Sequence, residues 1–393
     1  MDESKGIMNT GLRDVVVAST RISDVVSEKS KLIYRGYNIA ELAGKATFEE
    51  VAHLLLHERL PAKAELDAFA GGLAALRGLP EPLLAALSTR PADSMPMDIL
   101  QAAVAMLANH DPGAAKITRE ATLAGGMSLI AKIPKVVAAW HRIRSGLPPV
   151  PPDPALGHAA NFLHMLAGEA PDPETAAFFD TCLVIHAEHS FNASTFTARQ
   201  VASTRAHVYA SVSAALGSLS GELHGGANTR VMRMLQEIAT PDRIAPYVDR
   251  VLDSGGLIMG LGHAVYKNGD PRVLVLAPMS RRLGERANDT RWYDLTALLE
   301  ATAKEAFKKR KNLDIYPNVD FYSASVYHYM NIPADLFTPV FAIARIAGWT
   351  AHVLEEQFAG AAPKPALYRP ASEYTGEYCG PSECSFVPME KRE

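Results

Sequence analysis

The chain has 393 residues, 48 % of them apolar, with 39 Lys+Arg against 43 Asp+Glu for a formal charge of −4. Such a chain fills a substantial core, which excludes disorder, and its length suits two or three domains, or one large domain with a smaller one attached. The near-neutral balance offers no general attraction to nucleic acid or to an anionic membrane, so any anionic ligand must be held by local basic residues.

In chain order, residues 15 to 35 hold the only strand material, with Val15, Val16 and Val17, then Ile22, Val25 and Val26, then Leu32, Ile33 and Tyr34. They predict a small hairpin. Elsewhere apolar residues recur at helical spacing, so the fold class is all-α, mainly helical. Thr47-Phe-Glu-Glu50 is a capping box before Val51, Leu54 and Leu55, opening a helix that should stop near Leu60-Pro61. The prolines from Pro148 to Pro154 cannot be helical and read as a surface connection. From His207 to Ser220, Ala, Ser and Gly dominate, so this helix should be central or at an interface. Gly225-Gly226 and Gly255-Gly256 belong to a stretch of about a hundred residues, ending near Asn331-Ile332-Pro333, that reads as a separable lobe. Thr338-Pro339 predicts an N-cap and first helical position, followed by an apolar run that contains Arg345.

Cys182, Cys379 and Cys384 make neither a disulfide framework nor a metal-type CxxC pair, so a reducing compartment is expected. The start, Met1 to Gly6, is unlike a secretion signal, and no uncharged apolar stretch of membrane-spanning length occurs, so the expected location is cytoplasmic.

Four places combine ionisable residues with unusual surroundings. His224 sits at a glycine-marked break, where it is either structural or presented to a ligand. His263 follows Gly260-x-Gly262 and precedes Lys267 and Arg272, a combination that suits an anionic ligand; no third glycine follows, which argues against a dinucleotide fingerprint. Asp320 lies between Val319 and Phe321, where desolvation would make it a better base, or it caps the helix that follows. Arg345 needs an anion: a substrate carboxylate, or an internal partner at Glu355 or Glu356. Histidines, one aspartate and arginines, without a metal cluster, P-loop or catalytic serine or cysteine motif, suit proton transfer next to a carbonyl.

Six motifs in order resemble the citrate synthase family over nearly the whole chain. They are Leu32-Ile-Tyr-Arg-Gly-Tyr37, His186-Ala-Glu-His189-Ser-Phe-Asn192-Ala-Ser-Thr-Phe196, Leu223-His224-Gly-Gly-Ala-Asn228, Gly262-His263-Ala-Val-Tyr, Pro317-Asn-Val-Asp320-Phe-Tyr-Ser323 and Arg369-Pro370. The resemblance implies condensation of acetyl-CoA with oxaloacetate at the head of the citric acid cycle. Asp320 would be the base, His224 the enol stabiliser and His263 the acid, with His189, Arg272, Arg345 and Arg369 binding the dicarboxylate. Leu257, Ile258, Met259, Gly260, Leu261 and Lys267 would contact CoA, a co-substrate rather than a tightly bound cofactor, and Lys308-Lys-Arg-Lys311 would either do the same or be a solvated face. No metal, nucleic acid or membrane partner is implied. The family pattern further implies a homodimer in which Arg369 reaches the neighbouring subunit's site. It implies a large helical domain of residues 1–222 with 331–393, and a small domain, 223–330, that closes over the substrates. Ser190 departs from the glutamate that many members carry, and the 189–196 and tail sequences also resemble 2-methylcitrate synthases, which use propionyl-CoA.

Overall fold

A computed structural model describes residues 11–12, 15–263, 265–372 and 385–392. Met1 to Gly6, Ala264, Cys379, Cys384 and the end of the tail motif, residues 373–376, lie outside them.

Near the N-terminus, β1 (Ser23–Val26) pairs antiparallel with β2 (Lys31–Tyr34), Ser23 facing Tyr34 and Val26 facing Lys31, and β3 (Tyr37–Asn38) adds to the other edge of β2. This is the expected hairpin, but shorter. Val15 to Val17 form no strand, and Val16 is 89 % exposed: β-branched residues favour a strand only where a neighbour exists to pair with.

Short α1 (Ile39–Leu42) leads into α2 (Phe48–His57), α3 (Lys63–Leu76), α4 (Glu81–Ser88) and α5 (Pro96–Leu107). The capping box forms at α2: Thr47 Oγ1 accepts the Glu50 N–H, and the Glu50 carboxylate accepts the Thr47 N–H at 2.7 Å. The helix ends at His57, with Glu58 in the left-handed region, three residues short of Leu60. Long α6 (Arg119–Arg144) reaches α7 (His158–Ala167) through the non-helical proline stretch, and α8 (Pro173–His186), α9 (Ala193–Ser203) and α10 (Val208–Ser220) follow. The small-residue helix α10 is central as expected, packed on α5, α6 and α9.

Next come α11 (Ala227–Ile238), α12 (Ile244–Asp253), α13 (Val273–Arg286), α14 (Arg291–Lys311) and α15 (Val319–Tyr329), which pack chiefly on one another. The chain then returns in α16 (Phe337–Phe358), where every residue from Phe337 to Gln357 is buried and which contacts α2, α5, α6, α8, α9, α10 and α11. Both α6 and the stretch Ala334–Phe358 are long and apolar enough to cross a membrane, and both are core helices here. Thr338 is not the N-cap. The helix starts two residues earlier than expected, at Phe337 after a 3-10 turn at Ala334–Leu336, and the Thr338 hydroxyl donates to the Gly225 carbonyl at 3.1 Å instead of capping its own helix.

Candidate active site

Four elements converge: the segment Ala187–Asn192 between α8 and α9, the turn after α10, the loop from Leu257 to Arg272 with the start of α15, and the middle of α16.

Gly348 seats α16 against the first of these. Its N–H donates to the Ala187 carbonyl, and a Cβ there would lie 2.1 Å from Glu188 Oε2. One turn earlier, Arg345 is buried, its Nε donating to the His186 carbonyl at 2.7 Å and its guanidinium stacked over Phe341. Among the described residues it forms no ion pair. Glu355 and Glu356, the internal alternatives, both belong to Arg199, at 2.7 Å each. Burial pushes Arg345 down to about 10, and the nearby Glu188 carboxylate is the main charge that opposes this shift.

His224 Nε2 accepts the backbone N–H of Ser194 at 3.1 Å and lies 2.8 Å from its hydroxyl. An accepting Nε2 leaves the ring proton on Nδ1. Burial, then the charge of Arg345, pushes this histidine down to about 4, so it is neutral at pH 7.

His263 shows the reverse tautomer. Its Nδ1 accepts the N–H groups of Val265 (2.9 Å) and Tyr266 (3.2 Å), which puts the proton on Nε2, and burial followed by Arg272 lowers it to about 4. His189, buried, pairs through Nε2 with the Tyr266 hydroxyl at 3.2 Å and lies 5.4 Å from His263 ring to ring. Burial, Arg272, His263 and Arg345 keep it neutral.

Asn318, not Asp320, caps α15: its Oδ1 accepts the Asp320 N–H at 3.0 Å. The carboxyl of Asp320 is therefore not a cap, and burial raises it to about 6 against the pull of Arg272, Arg345 and Arg230. The loop carrying His263 is stitched to this helix start. Gly262 N–H donates to Tyr316 O, Asn318 N–H donates to Gly260 O, and Asn318 Nδ2 donates to Gly262 O, at 2.8 to 2.9 Å. Gly260 needs its φ of +79° and its missing side chain, since a Cβ would meet Phe321 at 2.8 Å.

Arg272 is already half engaged. Its Nε and Nη2 donate to Asp270 at 2.9 and 2.6 Å, and that charge pair outweighs burial and holds the arginine charged. Asp270 also accepts the Val319 N–H at 3.0 Å, joining Arg272 to the helix of Asp320.

In the segment expected to contact CoA, Leu257 is exposed, Met259 and Leu261 are half-buried, and Ile258 is in the core, so any ligand contact of Ile258 is through its backbone. Lys267 pairs with Glu28 at 2.7 Å. Lys308 and Arg310 are matched by Asp314, Asp249 and Asp253, which favours the solvated-face reading of that run. Arg369 is exposed in the tail, where the neighbouring Tyr368 hydroxyl donates to Glu356 at 2.9 Å; no contact joins it to the other candidates among the described residues. A cavity of about 510 Å³ beside Glu49, His158 and Asp180 contains none of the candidates.

The family model for the citrate synthase C-terminal domain matches residues 11–371. A citrate synthase of Haloferax volcanii is 43 % identical over 98 % of this chain and all of its own length. The chain belongs to the citrate synthase family. A 2-methylcitrate synthase of Mycobacterium tuberculosis is 40 % identical over 93 % of this chain and 90 % of its own. The citrate synthase of Thermoplasma acidophilum, solved in a ternary complex with carboxymethyl coenzyme A and oxaloacetate, superposes with a TM-score of 0.89 at 28 % identity, covering 98 % of this chain and all of that one. Like the rest of the citrate synthase family, this protein is an enzyme of acyl-transferring condensation. Sequence reasoning gave no role to Tyr266, Asp270, Glu188, Ser194 or Arg199. The first four lie in or beside quoted motifs; Arg199, two helical turns into α9, carried no signal.

Proposed function

We propose that this enzyme condenses acetyl-CoA with oxaloacetate and hydrolyses the resulting thioester to citrate and CoA. The observation that carries the reading is the opposed tautomers of two neutral histidines, one proton on Nδ1 of His224 and one on Nε2 of His263, together with a buried carboxyl at the start of α15 raised to about 6.

Asp320 takes a proton from the acyl methyl group, and the Nδ1–H of His224 stabilises the oxygen that gains charge as the enol forms. The Nε2–H of His263 does the same for the oxaloacetate carbonyl under attack and supplies the proton there. Arg345, Arg272 and His189 hold the dicarboxylate. CoA arrives as a co-substrate along Leu257 to Leu261 and Lys267, which must exchange Glu28 for a CoA phosphate. The mutual packing of α11 to α15 supports a small domain of residues 223–330 closing on the remainder, 1–222 with 331–393, and excluding water until the carbon–carbon bond is made. The same reading makes the protein a cytoplasmic homodimer, with Arg369 completing the partner's site.

Propionyl-CoA is the second reading, favoured by the similarity to a 2-methylcitrate synthase. One methylene is worth only about 10- to 200-fold in selectivity. The test is CoA release with oxaloacetate, comparing kcat/KM for the two acyl-CoAs. An acetyl-CoA preference is expected, the reverse preference reassigns the enzyme to propionyl-CoA, and release with neither overturns both.

A further inference from the structure

His189 sits in a segment whose backbone is under strain. Ser190, directly after it, has φ +50°, a left-handed conformation that a serine adopts only at a cost of about 1–3 kcal/mol and that persists where surrounding contacts impose it. Asn192 Nδ2 donates locally to the His189 and Ser190 carbonyls at 3.3 Å, and the long-range contacts on the segment come from one rung of the β1–β2 hairpin, some 160 residues away in sequence. Ser23 and Tyr34 face each other across that rung. The Tyr34 hydroxyl, fully buried, donates to the Glu188 carbonyl at 2.8 Å and accepts the Glu188 N–H at 3.1 Å. The Ser23 hydroxyl accepts the Ser190 N–H at 3.0 Å and donates to the Glu188 carboxylate at 2.8 Å. The residues on both sides of His189 are thus gripped by two cross-strand hydroxyls, and the Glu188 oxygen that accepts from Ser23, Oε1, also pairs with His352 Nε2 at 2.9 Å.

The other end of β1 touches the second histidine's loop. Ser27 donates to the Val265 carbonyl, Asn268 Nδ2 donates to the Glu28 carbonyl at 3.0 Å, and Lys267 pairs with Glu28. A strand of four residues therefore connects the backbone around His189 with the loop that carries His263. A hairpin packed for stability alone would need apolar residues at this rung. Two buried hydroxyls that satisfy backbone groups on either side of one histidine fix its position instead.

We propose that the β1–β2 hairpin is the positioning element of the oxaloacetate site, with Ser23 and Tyr34 acting through Glu188 and Ser190 on the placement of His189. This rests on the assignment of His189 to oxaloacetate. Tyr34→Phe keeps the ring and removes both bonds to Glu188. It should raise KM for oxaloacetate about tenfold, as expected for the loss of about 1.4 kcal/mol of hydrogen bonding, and leave KM for the acyl-CoA within about twofold. Placed on His189→Ala, the same change should add less than about twofold, because its effect passes through a ring already gone. An equal factor in both backgrounds overturns the proposal and makes Tyr34 merely structural, as does an unchanged oxaloacetate KM in the single variant. Should Tyr34→Phe melt out, Ser23→Ala carries the same cycle with the same expected outcomes. A wild-type protein that releases no CoA with either acyl-CoA overturns the condensation reading itself, whereas normal turnover with insensitive hairpin variants overturns the positioning role alone.

Discussion

The backbone N–H of Ser194 points at Nε2 of His224, 3.1 Å away, from the first turn of α9. A helix N-terminus offers donors and positive potential, so it disfavours a second proton on the ring and fixes the Nδ1–H tautomer.

The first prediction is that His224 stays neutral across the working range and acts only as a donor to developing charge. His224→Ala should lower kcat by about 100- to 1000-fold, the weight of one oxyanion donor, while KM for oxaloacetate moves less than about threefold. Nitrogen shifts of the labelled ring should report a protonated Nδ1 at pH 7 and titration only toward pH 4. A ring that charges near pH 6.5 would contradict the assigned tautomer.

Asp320 works as a base only when ionised, and burial raises its carboxyl to about 6. The second prediction is an acid limb in kcat/KM with its midpoint near pH 6, falling about tenfold per unit below it. Stability moves the opposite way. In the unfolded chain an aspartate titrates near 3.9, so between there and about 6 the folded state binds more proton, and stability falls as pH rises through that window. Asp320→Asn removes the cost: it should abolish condensation and raise Tm above pH 6, with the gain vanishing below about pH 4. An identical Tm difference at pH 4 and pH 8 would mean that burial does not raise this carboxyl.

Arg345 and Arg199 are both buried arginines, and the structure separates them by their partners. The third prediction contrasts them. Arg199→Met strands Glu355 and Glu356 in the interior and should cost about 3–5 kcal/mol. Arg345→Met removes a cation that forms no ion pair among the described residues and acts on Glu188 only without direct contact, so it should cost less stability than Arg199→Met while KM for oxaloacetate climbs about thirtyfold or more. Denaturant midpoints and steady-state kinetics on both variants decide it, and a large stability loss at Arg345 would return it to a structural role.

Much of this arrangement was legible in the sequence because it is local. The capping box at Thr47, the proline stretch after α6 and the helical period each act within a few residues. Cap assignments failed where a tertiary bond took the side chain away, as at Thr338, whose hydroxyl serves Gly225. Asp320 could be read either as base or as cap until Asn318 was seen in the capping position. The partners of Arg345 were undecidable because Arg199, 146 positions earlier in the chain, competes for the same glutamates. The grip of Ser23 and Tyr34 on Glu188 and Ser190 was hidden for the same reason: no periodicity links a strand hydroxyl to a distant loop amide.

The last prediction concerns the subunit arrangement. Among the described residues Arg369 makes no contact with the other candidates, and it is exposed beside Tyr368, which is tied to Glu356, so the tail is anchored with this guanidinium at the surface. If each site takes its base from one subunit and Arg369 from the other, Asp320→Ala and Arg369→Ala should each be nearly inactive alone. Refolded together at equal concentration, random pairing makes about half of the dimers mixed. In each mixed dimer one site carries both defects and the other carries neither, so about a quarter of wild-type activity should return. Arg369 acting within its own subunit gives no recovery on mixing, because every site then keeps one defect. Sedimentation at the assay concentration would show whether the recovered activity travels with a dimer.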